Sequence, residues 1–331
     1  MQRLHIGKFG FIAVLGILMA VCRPVSASVE ILKLKIKSPN EIIDQSGRRI
    51  VVDAPFKRII SLYGAHTENL FKLGLDIEII GVSRHEVYPP QAKTKPIFSY
   101  HDDPEKFLAA RPDLVLIRPM IDRVYAQLVT RLEKSNITIV SLQPNTVDEM
   151  YIYWEIMGIL TGKRNRAAKM VVSFKLAVSD LRALTDSAIN KKNVYFEAIH
   201  SKMKTFSPDS MAMFTLETAG GINVAADAKP VRNTNIARYG KERILAHADM
   251  IEVYLAQYGA MNRPTASLIK NEPGFKAINA VLNNQIYIID EHIVSRPTFR
   301  LLNGIVEIGK ILYPEIFDQN APAILESAED F

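Results

Sequence analysis

The chain has 331 residues, of which 48% are hydrophobic and 23% charged. This composition is typical of a globular protein, and the length favours two domains, each with its own core. The net charge is +6, but the Lys and Arg residues are dispersed, which argues against nucleic-acid binding. The single cysteine, Cys22, excludes a disulfide framework and a thiolate metal site.

The first 27 residues have the pattern of a secretory signal peptide. Arg3 and Lys8 flank the start of an apolar core, and a small-residue site ends at Ala27. We therefore expect cleavage after Ala27 and a periplasmic location. A lipoprotein would instead keep Cys22 as its acylated residue, but Val21 is too large for that cleavage pattern, so a soluble exported protein is favoured.

The next segment, up to residue 142, alternates between predicted strands and helices. Ser46-Gly47 lies between two alternating apolar runs and predicts a hairpin. A helix with Thr67 as its N-cap ends at Gly74, and another helix covers 122–135. Buried strands are expected at 58–63, 77–82, Leu114–Ile117 and 137–142. This β-α alternation predicts a parallel α/β sheet.

The remainder of the chain predicts a long helix followed by a second α/β region. Gly162-Lys163 breaks a helical stretch, and the helix at 164–187 is too long for a routine crossover, which indicates a rod between two lobes. Strands at Asn193–Ile199 and 285–289 and helices at 210–219 and Leu301–Leu312 follow. The predicted organisation is a signal peptide at 1–27, an N-terminal lobe at 28–162, a connecting helix at 163–190 and a C-terminal lobe at 191–331.

One helix-turn-strand unit occurs twice, at 105–118 and at 242–254. Both copies begin with a glutamate, Glu105 and Glu242, and place Leu-Ala at the fourth and fifth residues before a short apolar run. The repeat suggests two similar lobes.

These motifs, in this order, resemble a known family. The segments DQSGRRIVVDAPFKRIISLYGAHTENLFKLGL and IIGVSRHEVYPP, followed by the Glu105 unit, are similar to periplasmic substrate-binding proteins of ABC importers that bind iron–siderophore complexes, cobalamin or haem. The similarity runs over 44–314. It implies the class III fold, in which two Rossmann-like lobes with parallel sheets are joined by a single long α-helix and hold the ligand between them.

The resemblance also implies partners and roles. Glu105 and Glu242 match the glutamates with which such proteins dock onto arginines of the permease, which works with its ATPase; a carboxylate on each lobe suits a guanidinium group. The alternative is an ordinary glutamate favoured by the helix dipole. A monomer without a cofactor is expected.

Candidate ligand contacts follow from the rule that ligands meet the carboxyl ends of parallel strands. Arginine suits anionic ligand edges, and tyrosine offers a flat face with a polar tip. Several of these residues have competing structural roles, such as tying a turn, capping a helix or filling the core. The candidates are Tyr63, Gly64, His66, Arg84, Tyr100, Arg118, His200, Arg232, Tyr254 and Arg296.

Enzymatic and bare-metal functions are disfavoured by the motifs. The histidines match no tight ligand spacing, and no His-rich loop is present. The segment GVSRH is not a nucleophile elbow, because His85 replaces the second glycine. We therefore expect neither catalytic nor metal-ligating residues in this chain.

The sequence predicts an exported binding protein that captures an iron(III)–siderophore or a similar metal chelate. Cobalamin or haem is the alternative ligand, and a bare metal ion or an enzymatic activity ranks lower. Many relatives carry a Pro-containing turn where this chain has Tyr63-Gly64-Ala65-His66. A histidine there could contact the ligand or its metal, so the family alone does not identify the chelate.

Overall fold

The computed structural model describes residues 34–186, 190–231 and 234–331, and these residues form one compact unit. The expected signal peptide, Cys22 and Arg232 lie outside the described residues. The strands are β1 Lys35–Ser38, β2 Glu41–Ile43, β3 Arg49–Val51, β4 Ile59–Ser61, β5 Ile79–Ser83, β6 Ile97–Phe98, β7 Leu114–Ile117, β8 Thr138–Ser141, β9 Asn193–Ile199, β10 Lys204–Phe206, β11 Ile222–Asn223, β12 Lys229–Pro230, β13 Ile236–Arg238, β14 Val253–Tyr258 and β15 Ile286–Asp290.

The N-terminal lobe is built on a five-stranded parallel sheet with strand order β6-β5-β4-β7-β8. All residues of β4 and β7 are buried, as expected for parallel strands covered on both faces. The predicted hairpin is confirmed, because β2 and β3 pair antiparallel on either side of the turn at Gly47.

The sheet of the C-terminal lobe is mixed, which corrects the expectation of a wholly parallel sheet. Its order is β12-β13-β10-β9-β14-β15, with β11 also paired to β9. Strands β9, β11, β14 and β15 run parallel, whereas β10, β12 and β13 pair antiparallel. The single turn His200–Lys202 joins β9 to β10, and so short a connection permits only an antiparallel pair.

A single long helix connects the lobes, as predicted. It covers Arg164–Asp186 and buries the stripe that includes Ala167, Phe174 and Leu181. The helices are α1 Gly64–Lys72, α2 Pro104–Ala110, α3 Pro119–Val124, α4 Ala126–Glu133, α5 Val147–Thr161, α6 Arg164–Asp186, α7 Met211–Thr218, α8 Lys241–Ala246, α9 Ala266–Lys270, α10 Asn279–Leu282, α11 Glu291–Val294, α12 Leu301–Leu312 and α13 Pro314–Glu329.

Helix α1 begins earlier than its sequence predicts. Tyr63, not Thr67, is the N-cap, and it supplies no side-chain capping bond. The Thr67 hydroxyl instead donates to Ser61 Oγ at 2.8 Å inside the lobe. Helix α13, which the sequence analysis missed, continues directly from α12 after Tyr313 and packs on α6, where Ser173 Oγ donates to Ala328 O at 2.6 Å.

The segment 295–300 of the C-terminal lobe packs against α1 and α5 of the N-terminal lobe, and we call this contact the interlobe seam. Glu68 of α1 is 4% exposed and accepts hydrogen bonds from Arg296 Nη1 at 3.3 Å and Arg300 Nε at 3.0 Å. A buried carboxylate requires such charged donors, because an unpaired ion in the interior is strongly unfavourable.

A second contact of the seam is centred on the Pro297 carbonyl oxygen. It accepts hydrogen bonds from Asn69 Nδ2 at 2.9 Å and from Trp154 Nε1 at 3.3 Å. Trp154 is the only tryptophan of the chain and is fully buried. Its indole therefore reports directly on how the lobes are packed.

Candidate ligand-binding cleft

The N-terminal side of the cleft has an arginine without a counterion. Arg118 follows β7, and its guanidinium carbon lies 4.6 Å from the centre of the Tyr63 ring, which follows β4. Its Nε is enclosed and has no hydrogen-bond partner among the described residues, nor does an acid there form an ion pair with it. A stacked cation with unused donors can bind an anionic or acceptor-rich ligand edge.

Tyr63 lies in the field of charges from both lobes. Burial raises the pKa of its hydroxyl, Arg118 and Arg296 oppose that rise, and Glu291 and Glu68 add to it. Glu291 belongs to the C-terminal lobe, at the end of β15. Each lobe therefore contributes one cation and one acid to the electrostatic surroundings of the Tyr63 hydroxyl.

Gly64 and Arg296 contact each other across the lobes. A Cβ at position 64 would overlap the Arg296 guanidinium, and Glu86 Oε2 would lie 3.3 Å from it. The absence of a side chain therefore lets a guanidinium of the C-terminal lobe lie against the start of α1. Arg296 is already paired with Glu68 at the seam, and the assignment of both residues to ligand binding stays a prediction.

His66 does not face the cleft in this structure. Its side chain is fully buried, with Nδ1 2.7 Å from the Tyr153 hydroxyl and Nε2 3.2 Å from the Ile117 carbonyl oxygen. Since that carbonyl only accepts, Nε2 carries the proton and Tyr153 donates to Nδ1. Burial lowers the pKa of His66 to about 3. With both nitrogens occupied, His66 has no atom free for a ligand or its metal.

Arg84 and Tyr100 lie on the outer part of the same edge. Arg84 is exposed directly after β5. Tyr100 is half-buried, and its ring centre lies 4.5 Å from that of His101 and 4.7 Å from that of Tyr125. Both side chains are accessible to a ligand. Their assignment to ligand binding stays a prediction.

Two of the C-terminal candidates, His200 and Tyr254, belong to an internal hydrogen-bond network. Glu197 Oε2 accepts from the Tyr254 hydroxyl at 2.5 Å and from His200 Nδ1 at 2.8 Å, while Asn262 Nδ2 donates to Oε1 at 3.3 Å. The hydrogen bond to Glu197 raises the pKa of His200, and burial raises that of Tyr254 well above its usual range. Tyr254 is fully buried, so its polar tip points inward rather than to the cleft.

The network continues from His200 to the start of α8. His200 Nε2 lies 3.7 Å from Glu272 Oε2, and the other oxygen of Glu272 pairs with Lys241 Nζ at 2.6 Å. These contacts attach α8 to the sheet. The position of Glu242, one residue after Lys241, is therefore fixed relative to the sheet.

Sequence reasoning did not select Glu291, which directly follows β15 on the C-terminal lobe. Its Oε2 accepts from the Ala260 backbone N–H at 3.0 Å, and a Cβ at Gly259 would overlap its carboxylate. The available signal was a pair of acidic residues, Asp290 and Glu291, after the strand predicted at 285–289.

Glu105 and Glu242 occupy equivalent positions, each in the first turn of its helix. Glu105 is 66% exposed and lies 3.7 Å from Arg131 Nη2. Glu242 is exposed, and no described residue forms an ion pair with it. Both carboxylates are accessible to a partner, but permease docking stays a prediction.

The part of the chain that the structure describes has neither a membrane-spanning helix nor a cluster of metal-ligating side chains. Residues 34–186, 190–231 and 234–331 contain no helix long and apolar enough to cross a bilayer. Within the same ranges, no group of three or more His, Cys, Asp or Glu side chains is placed to hold a metal ion.

Comparison with known proteins gives consistent matches. A family model described as periplasmic binding protein matches residues 59–293. A Bacillus subtilis protein named as an uncharacterized ABC transporter substrate-binding lipoprotein is 26% identical, with 85% of this chain and 88% of that protein covered. A vitamin B12-binding protein of Vibrio cholerae is 25% identical, with 77% and 88% covered.

A solved structure shows the same architecture. The crystal structure described as a possible iron-binding (periplasmic solute-binding) protein from Staphylococcus epidermidis superposes with a TM-score of 0.69 at 26% identity, covering 78% of this chain and all of that one. Because the family model spans more than half of the chain, the protein belongs to the periplasmic binding protein family, the substrate-binding proteins of ABC transporters.

Proposed function

We propose that this protein captures a metal-chelate complex in the cleft between its lobes and delivers it to an inner-membrane ABC permease. The observation that carries the proposal is the unpaired Arg118 guanidinium stacked on Tyr63 at the carboxyl edge of the N-terminal sheet. A cation with unused donors beside an aromatic face suits a large ligand with both polar and flat surfaces. No bond is made or broken in this role.

Two chelate classes are the main candidates. An iron(III)–siderophore is the ligand expected from the sequence, and the Staphylococcus epidermidis protein described as possibly iron-binding supports it. Cobalamin is supported by the Vibrio cholerae relative and by a more distant cobalamin-binding protein of Halobacterium salinarum. Haem ranks third.

A binding screen tests this proposal. The mature chain is titrated with ferric hydroxamate siderophores, cyanocobalamin, haemin and free divalent metals, while Trp154 fluorescence and calorimetry are followed. Because Trp154 donates to Pro297 in the interlobe seam, we expect saturable binding to change its emission. Failure of every chelate to bind, with tight binding of a bare metal ion or turnover of a substrate, would overturn the proposal.

Docking through Glu105 and Glu242 is part of the proposal. Both are exposed carboxylates in the first turn of a helix, one on each lobe. Replacing both by Ala should reduce chelate uptake in cells while leaving the Kd of the purified protein unchanged. Glu155→Ala, an exposed glutamate on α5, is the matched control. A loss of affinity in the double variant would place these residues in the cleft instead.

A further inference from the structure

The end of helix α13 lies against the N-terminal lobe, and we call residues 328–331 the strap. Glu329 of the strap forms an ion pair with Lys72, the last residue of α1. The ring of Phe331 lies beside the same ammonium, with 4.8 Å between Lys72 Nζ and the ring centre. Because α13 continues from α12 of the C-terminal lobe, these contacts join the two lobes.

The Lys72 ammonium lies against two aromatic rings. Its Nζ is 4.3 Å from the centre of the Phe299 ring, and the rings of Phe299 and Phe331 are themselves 5.3 Å apart. A cation within about 6 Å of a ring centre is attracted to the ring, and more strongly where water is excluded. Phe331 therefore completes a site for the ammonium, of which Phe299 of the interlobe seam forms the other side.

The connecting helix α6 also contacts the strap. Ser173 Oγ donates to the Ala328 carbonyl oxygen at 2.6 Å, and the Arg166 guanidinium carbon lies 5.9 Å from the centre of the Phe331 ring. Arg166 Nε also donates to the Lys72 carbonyl oxygen at 3.0 Å, which satisfies one of the backbone acceptors left free at the end of a helix. The strap, α6 and the end of α1 therefore meet at one place.

Helix α1 connects the strap with the interlobe seam. Glu68 and Asn69 lie about one turn before Lys72. Glu68 accepts from the two arginines of the seam, and Asn69 Nδ2 donates to the Pro297 carbonyl oxygen. Since the turns of a hydrogen-bonded helix move together, contacts that fix Lys72 also restrain the seam.

We propose that the strap is a latch, which holds the end of α1 on the C-terminal lobe and thereby limits opening of the interlobe seam. Phe331 contributes most of this effect, because Glu329 is 60% exposed and so exposed an ion pair contributes little. The Phe331 ring, in contrast, packs against the hydrophobic core and covers the Lys72 ammonium. The latch acts in the protein without a ligand, so the inference does not rest on the proposed function.

Hydrogen exchange of the Trp154 indole N–H tests the latch. This N–H donates to the Pro297 carbonyl oxygen across the seam. Its NMR signal is unambiguous, because the chain has one tryptophan. In D₂O the exchange rate reports how often the seam opens. Phe331→Ala should raise that rate about tenfold, and Lys72→Met, which keeps an unbranched side chain without the ammonium, about threefold or more.

Internal references and a control variant separate local opening from a general loss of stability. The backbone amides of Leu116 and Leu255 belong to buried central strands of the two sheets, and they exchange when the whole protein unfolds. Their rates should stay within about twofold of the wild-type rates in both variants. Glu326→Gln, at an exposed position of α13, should leave the indole rate unchanged.

The proposal is overturned if the indole rate of Phe331→Ala stays within about twofold of the wild-type rate. It is also overturned if the amides of Leu116 and Leu255 accelerate by the same factor as the indole, because the strap would then only add to general stability. Should Phe331→Ala fail to fold, Phe331→Leu, which removes the ring but keeps an apolar side chain, is judged by the same criteria.

Discussion

The two lobes place similar side chains at the carboxyl ends of their strands but use them differently. On the N-terminal lobe, Arg118 and Tyr63 stack on each other, and the guanidinium has no described counterion. On the C-terminal lobe, His200 and Tyr254 are both turned onto the buried Glu197. A strand-end position therefore brings a residue near the cleft, but its hydrogen-bond partners decide whether it is free for a ligand.

The largest effect should come from removing the centre of the C-terminal network. Glu197→Ala leaves the buried Tyr254 hydroxyl and His200 Nδ1 without their acceptor, and Asn262 Nδ2 keeps only the Gln257 carbonyl. We expect a loss of about 3 kcal/mol in the free energy of unfolding, measured by urea denaturation. Arg118→Ala should change it by less than about 0.5 kcal/mol. Similar losses in both variants would remove the contrast between the lobes.

The second prediction concerns His66, which is neutral in the folded N-terminal lobe. Its pKa rises from about 3 in the folded state to 6.5 in the unfolded chain, so the unfolded state binds more protons between these values. The free energy of unfolding should therefore fall as the pH drops below 6.5, with a loss of about 3 kcal/mol at pH 4.

The variant His66→Gln isolates this contribution. Its free energy of unfolding should depend less steeply on pH between 6.5 and 4, whereas His101→Gln, at an exposed position, should keep the wild-type slope. An unchanged slope in His66→Gln would mean that the histidine is not enclosed in solution.

The third prediction concerns the N-terminal lobe, where Arg118 has no described counterion, and is tested through ligand affinity. Arg118→Gln should weaken binding of the chelate found in the screen by about tenfold, because it removes a charged donor that the fold does not use. His200→Gln should leave the Kd unchanged, since its Nδ1 serves Glu197. The Kd of both variants is measured by calorimetry. A loss of affinity in His200→Gln alone would mean that the C-terminal lobe, not the N-terminal lobe, supplies the free ligand contact.

The smallest effect concerns the two helix-start glutamates. Glu105 has Arg131 at 3.7 Å, whereas no described residue pairs with Glu242. Because both partners of the Glu105 pair are exposed, Arg131→Gln should change the free energy of unfolding by less than about 0.5 kcal/mol. A thermal melt checks this, and a larger change would show that the pair stabilises the lobe.

The sequence was most informative where a local pattern determines the outcome. Leu114–Ile117, Asn193–Ile199 and Leu301–Leu312 were placed correctly, because each is an apolar or periodic run between clear breaks. The direction of a strand depends on the length of the connection before it, and this was harder to predict. The short turn at His200 makes β10 antiparallel, and the sequence analysis missed that strand.

The site was harder to predict because accessibility depends on distant residues. His66 follows a turn and looked exposed, but Tyr153, 87 residues away, closes over it. Tyr254 was expected at the cleft, yet Glu197, 57 residues away, holds its hydroxyl inside.

The interlobe seam has a mechanical consequence. The lobes are joined both by α6 and by the Pro297 carbonyl, which accepts from α1 and α5 at once. The ion pairs of Glu68 with Arg296 and Arg300, and of Lys72 with Glu329, join the lobes at further places. We therefore expect the lobes to resist separation, because moving them apart would break these ion pairs and the hydrogen bonds to Pro297 together.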